Sequence, residues 1–131
     1  MTVSFVGSGN VASHMARAFF NAGFDMLEIC SRNLDHATEL AERIHASALT
    51  EVEQMLPADL LIISVKDDAI EEVVHKLPGH FGLVVHTSGA IPLQSLSKFD
   101  RSGVLYPLQT FSKSRDIDFK EVPVCVEGSH D

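Results

Sequence analysis

The stretch Thr2-Val3-Ser4-Phe5-Val6-Gly7-Ser8-Gly9-Asn10-Val11-Ala12 decides the fold. Thr2–Val6 reads as a short buried strand that ends on a glycine, with a second glycine two positions later. From Asn10 to Ala22 the apolar residues Val11, Met15, Ala18, Phe19 and Ala22 recur at the spacing of one helical face, and Gly23 follows as a stop. Strand, loop and helix together give the G-x-G-x-x-A pattern the context it requires. Gly7 permits the tight turn, Gly9 lets the backbone approach a pyrophosphate where a Cβ would collide, and Ala12 is small enough for helix to pack on strand. The helix N-terminus adds unpaired N–H groups and a partial positive charge. The loop therefore predicts a dinucleotide site; a plain tight turn in an α/β protein is the alternative.

The same alternation continues along the chain. Met26–Cys30 predicts a second strand. Asn33 can cap a helix with the stripe Leu34, Ala37, Leu40, Ala41 and Ile44. Ala46–Leu49 predicts a third strand. Thr50 and Glu53 have capping-box spacing before a brief helix that ends at Pro57. Leu60–Val65 is the continuous apolar run of a strand covered on both faces. Asp67 or Asp68 then caps a helix with the stripe Ile70, Val73, Val74 and Leu77. Leu83–His86, Gly103–Tyr106 and Val122–Val126 complete seven strands, and Pro92 suits the first turn of a short helix. The implied fold is α/β, a doubly wound, mostly parallel sheet with helices on both faces. With 131 residues and no linker or repeat, the chain reads as one dinucleotide-binding domain over residues 1–131.

Charge sharpens the reading. The net charge of −8 argues against nucleic acid or an anionic membrane as partner. No acid precedes Asp25, twelve of the 18 lie between Asp25 and Glu72, and only Asp100 falls between Val73 and Arg115. A bound phosphate is repelled by nearby carboxylates, so the acid-free start and the acid-poor Val73–Arg115 segment are where an anion site is expected; burial of apolar strands is the plainer cause. Cys30 and Cys125 sit in apolar strands and read as buried free thiols. With no basic segment leading into an apolar one, a cytoplasmic protein is expected.

Selection of the nucleotide falls to the end of the second strand. Many dinucleotide sites place an acid there for the ribose hydroxyls. Here the strand exits into Ser31-Arg32-Asn33, a hydroxyl and a guanidinium that suit a 2′-phosphate. That favours NADP over NAD. Glu28 fits the acidic position by distance alone, but it falls inside the strand, too early to reach a ribose.

Ligands of such sheets lie beyond the carboxyl ends of the strands. Three loops meet there: Ser64-Val65-Lys66-Asp67, His86-Thr87-Ser88-Gly89, and Tyr106-Pro107-Leu108-Gln109-Thr110-Phe111. Val65, Lys66 and Ser88 are expected against the cofactor, and Gln109 and Thr110 against a substrate. Hydride transfer needs a proton donor when a C=O or C=N is reduced, and His86, Tyr106 and Lys66 are the candidates. Each has a plain alternative: a strand-end histidine, a core tyrosine, a solvated lysine beside Asp67 and Asp68. The seven histidines have no metal-ligand spacing.

Together, G-S-G-N-V-A from Gly7, S-R at Ser31, I-S-V-K-D-D-A-I from Ile63, H-T-S-G from His86 and G-V-L-Y-P-L-Q-T-F-S-K from Gly103 resemble one family over nearly the whole chain. It is the Rossmann-like NADP oxidoreductases that carry a C-terminal helical domain of unknown function. Its wider relatives are pyrroline-5-carboxylate reductase, prephenate dehydrogenase, the 6-phosphogluconate dehydrogenase group and the deazaflavin-dependent NADP reductases. The resemblance implies that Gly7, Ser8, Gly9, Asn10, Val11 and Ala12 line the pyrophosphate and that Ser31 and Arg32 meet the 2′-phosphate. It also implies a hydride transfer to or from a small carbonyl or imine. Prephenate dehydrogenases carry a catalytic His-Pro where this chain reads Tyr106-Pro107, so that chemistry does not carry over. The family continues into a helical domain that forms a homodimer and closes the site, and this chain is expected to lack it. A non-catalytic nucleotide-sensing module and an S-adenosylmethionine-dependent methyltransferase are the competing readings; the Ser31-Arg32 pair speaks against the second.

Overall fold

The computed structural model describes residues 1–87, 96, 99, 101–107 and 124–128, the last five and residues 104–107 as backbone. The chain alternates β1 (Thr2–Val6), α1 (Asn10–Asn21), β2 (Asp25–Cys30), α2 (Leu34–Ile44), β3 (Ser47–Leu49), a 3-10 turn (Val52–Gln54), β4 (Leu60–Ile63), a second 3-10 turn (Asp67–Ala69), α3 (Ile70–Lys76), β5 (Leu83–His86), β6 (Ser102–Pro107) and β7 (Val124–Gly128). The strands form one seven-stranded sheet in the order β3-β2-β1-β4-β5-β6-β7. The first six pair in parallel, and β7 runs antiparallel to β6. The chain begins in mid-sheet, winds outward to β3, then returns to lay β4 on the other side of β1. That reversal is the switch point of a doubly wound sheet, the Rossmann-like arrangement expected from the alternation of strands and helices.

Each face buries its own core. Val3, Phe5, Ile29, Ile62 and Val85 meet α1 and α2 on one face; Val6, Cys30, Leu61, Ile63 and Val84 meet α3, the first 3-10 turn, Leu96 and Phe99 on the other. Each fully buried large apolar side chain contributes about 1.5–3 kcal/mol. Phe19 of α1 packs edge-on against Phe5 and Phe24, with centroids 6.2 and 5.1 Å apart.

β2 breaks strict alternation. Its register against β1 steps from Val3↔Met26 to Phe5↔Ile29, so β2 carries one extra residue. This bulge lets Met26 and Ile29 share the α1/α2 face and turns Glu28 to the opposite side, where its carboxylate accepts the Leu56 N–H at 2.8 Å. The bond ties the β3–β4 connection to the sheet and leaves Glu28 buried, away from any ribose.

Several local expectations are corrected. Leu34, read as the start of the α2 stripe, is 51 % exposed, because the Asn33 cap accepting from His36 N places the first turn beyond the sheet edge. The capping box at Thr50 and Glu53 does not form. That segment is one 3-10 turn with no side-chain cap, since the long-range bond to Glu28 holds it in place of local capping. Neither Asp67 nor Asp68 caps α3. Both lie in a 3-10 turn whose N–H groups are satisfied locally, Ala69 N to Lys66 O and Ile70 N to Asp67 O. β4 stops at Ile63, two residues early, and β7 runs two residues later than expected. The helix expected at Pro92 lies outside the described residues.

Candidate functional site

β1 and β4 end side by side, with Val6 opposite Ile63, so Gly7 and Ser64 leave the sheet together. Gly7 N–H bonds Cys30 O at 2.7 Å and Ser64 N–H bonds Val6 O at 2.8 Å. Gly7 has φ 118°, and a Cβ on it would be driven into the Ser64 carbonyl. Glycine is therefore required by the protein itself. Gly9 differs: φ is −76° and a Cβ would meet nothing within 4 Å. Nothing in the fold demands glycine there, and its missing Cβ leaves space open above the loop.

That space belongs to a cleft of about 790 Å³. α1 points its N-terminus into it, with no side-chain cap and no acid in the first turn. The first N–H groups of a helix have no partner within the helix, so this end can receive an anion. Ser8, Asn10 and Val11 line the cleft beside the two glycines. Ala12 does not: it is fully buried in the α1/α2 core. Its predicted place against the pyrophosphate is corrected to one of packing, which its small size makes possible.

At the β2 exit Ser8 Oγ donates to Ser31 Oγ at 2.9 Å, and Asn33 N–H donates to the same oxygen at 3.2 Å. Ser31 is half-buried and fixed; Arg32 is exposed, and among the described residues no carboxylate pairs with it. Both line the cleft. These residues fit a phosphorylated dinucleotide: an uncapped helix end, an open loop and a free guanidinium at the rim.

The opposite wall holds Val65, Lys66 and Thr87, the last bonded through Oγ1 to Ser64 Oγ at 3.3 Å. It also holds Glu51, Glu53, Asp67 and Glu72. The expectation of an acid-poor site therefore holds for the α1 wall and fails for this one, because acids distant in sequence from the loop fold back onto the cleft. Glu72 is engaged by Lys76 at 3.2 Å, a hydrogen bond and charge that raise the lysine's pKa. Burial, then Glu28, Glu51 and Glu53, push the Cys30 thiol up to about 12. It is a protonated, unreactive group under the cleft.

The catalytic candidates separate. Lys66 is exposed on the cleft. His86 is fully buried within β5 and, among the described residues, is not part of the cleft lining. Tyr106 lies on β6 two positions beyond Val104, the partner of His86, hence past the carboxyl end of β5. Ser88, Gln109 and Thr110 lie outside the described residues. Ser64, Thr87 and His36 line the cleft without having been singled out; the strand-end positions of the first two and the place of His36 in the first turn of α2 were the available signals. Among the described residues no cluster of three metal-ligating side chains occurs, and no helix is long and apolar enough to cross a membrane.

Residues 2–85 match the family model described as NADP oxidoreductase, coenzyme F420-dependent. No functionally curated protein matches the chain. A candidate NADP oxidoreductase from Bacteroides fragilis is 35 % identical, with TM-score 0.85 over 98 % of this chain and 51 % of its own. A 1-pyrroline-5-carboxylate reductase from Streptococcus pyogenes shares the fold at 17 % identity, TM-score 0.74, over 99 % of this chain and 49 % of its own. An imine reductase from Myxococcus stipitatus, solved in complex with NADP+, does so at 18 %, TM-score 0.67, over 84 % and 42 %. The chain spans about half the length of these structures or less.

Proposed function

This chain belongs to the NADP oxidoreductase, coenzyme F420-dependent, family, and from that premise we propose that its cleft binds NADP(H) for hydride transfer to or from a small carbonyl or imine. The observation that carries the reading is the uncapped, acid-free N-terminus of α1, facing a cleft rimmed by Ser31 and Arg32. The α1 N–H groups hold the pyrophosphate, and Gly9 allows its approach. The fixed Ser31 hydroxyl and the Arg32 guanidinium hold the 2′-phosphate through charge-assisted bonds. Val65 and Thr87, which line the cleft at the ends of β4 and β5, would meet the nicotinamide end. NADPH, when bound, would supply the hydride chemistry, and Lys66 Nζ or Tyr106 would give the matching proton. We place the substrate's carbon skeleton beside the nicotinamide end of the cleft and the protein in a homodimer. The family assignment leaves a methyl-transfer reading without support.

Thermal unfolding with added nucleotides tests this, because a ligand that binds only the folded state raises apparent stability. NADPH is expected to raise the midpoint, NADH to do so less, and S-adenosylmethionine not at all. An NADPH response no larger than that of S-adenosylmethionine contradicts the proposal.

A further inference from the structure

β4 ends at Ile63 and β5 at His86, and the next residue of each carries a hydroxyl, Ser64 and Thr87. Both are pinned through their backbones. Ser64 N–H bonds Val6 O at 2.8 Å and Thr87 N–H bonds Ile63 O at 3.2 Å, one rung past the strands. Both side chains belong to half-buried residues that line the cleft. Thr87 Oγ1 donates to Ser64 Oγ at 3.3 Å. Two hydroxyls left to themselves settle at about 2.7–2.8 Å, so the strands rather than this bond set the spacing. A serine hydroxyl has one hydrogen to give. With the Ser64 oxygen accepting from Thr87, its own hydrogen meets no acceptor among the described residues.

Sheet order fixes where along the cleft this donor stands. Ser31 follows β2, Gly7 follows β1, Ser64 follows β4 and Thr87 follows β5, and these four strands are consecutive neighbours. At about 4.8 Å between strands, Thr87 stands about 14 Å across the strand ends from Ser31. A dinucleotide with its 2′-phosphate at Ser31 and Arg32 and its pyrophosphate at the α1 N-terminus runs its other half over β4 and β5.

We infer that Ser64, oriented by Thr87, is a positioning residue for the nicotinamide riboside half of the dinucleotide, its hydroxyl donating to an oxygen of that half. The inference rests on the NADP reading above. The ribose hydroxyls and the carboxamide oxygen of that half are all acceptors. A bond to this half seats the ring end without adding to the hold on the adenosine half. A pair that merely tied β4 to β5 would instead affect every ligand of the cleft alike.

The test is calorimetric dissociation constants for NADPH and for 2′-phosphoadenosine 5′-diphosphate, which lacks the nicotinamide riboside. The proteins are the unmodified one, Ser64→Ala, Thr87→Val and Thr87→Ser. Ser64→Ala is expected to weaken NADPH about three- to tenfold, the weight of one neutral hydrogen bond, and to leave the diphosphate within twofold. Thr87→Val, which keeps the shape and removes the hydroxyl, should weaken NADPH by a smaller factor, and Thr87→Ser should restore it. Equal losses for both ligands in Ser64→Ala, or no loss for NADPH, overturn the inference. So does a Thr87→Ser protein as weak as Thr87→Val, a comparison that stands even if Ser64→Ala does not fold. If the unmodified protein binds the diphosphate as tightly as NADPH, the inference falls and the NADP reading stands. If it binds neither, the NADP reading falls and takes this inference with it.

Discussion

The two walls of the cleft are built on different grounds. On the β1–α1–β2 wall the informative features are omissions: no Cβ on Gly9, no cap on α1, no acid in its first turn, no carboxylate pairing with Arg32 among the described residues. None of them stabilises the chain by itself, and an open helix end that a cap could close forgoes about 1 kcal/mol. The opposite wall is fastened by bonds of its own. Asp67 lies in a hydrogen-bonded turn, Glu72 is held by Lys76, and the Glu51–Glu53 segment is fastened at Leu56 by Glu28. The contrast lies in what the α1 wall leaves open, N–H groups and a guanidinium that suit an anion.

That contrast can be broken at graded cost. Gly7→Ala should be the most damaging change, about 3 kcal/mol or more, because it combines a positive φ with a clash against backbone; urea unfolding reads it. Glu28→Ala should cost about 1.5–3 kcal/mol by leaving the Leu56 N–H without its charged acceptor, and Glu28→Gln much less, since an amide oxygen can still accept. The Cys30 thiol gives a pH signature. Its folded pKa of about 12 lies above the ordinary value, so its contribution is fully present below the unfolded pKa and is lost as pH rises between the two, about 1.5–2 kcal/mol by pH 10. Cys30→Ser or Cys30→Ala should flatten that decline in unfolding curves taken from pH 8 to 10. Gly9→Ala should leave unfolding within about 0.5 kcal/mol, yet weaken NADPH binding. Opposite outcomes for two glycines two residues apart would separate what the fold requires from what the ligand requires.

Much of this was legible in the chain because period and punctuation agreed. The β1–α1 unit, the Asn33 cap and the β5 strand follow from local residues alone. What was hidden is non-local. The β2 bulge depends on pairing with β1, and no spacing in Asp25–Cys30 announces it. The failed capping box at Thr50 reflects a competing bond from Glu28, distant in sequence. Acids that looked remote from the loop return to the cleft because β3 and β4 flank the strands that carry it. His86 showed its chemistry in the sequence but not its burial, which is set by the strands on either side.

Selection of a 2′-phosphate is the role we propose for the α1 wall and its Arg32 rim. Its most direct test is the paired affinity of the unmodified protein and Arg32→Ala for NADPH and NADH at pH 7. Arg32→Ala should weaken NADPH by about 1.5–3 kcal/mol, the range for a charged hydrogen bond, and leave NADH within twofold. Equal losses for both nucleotides, or none for either, contradict it.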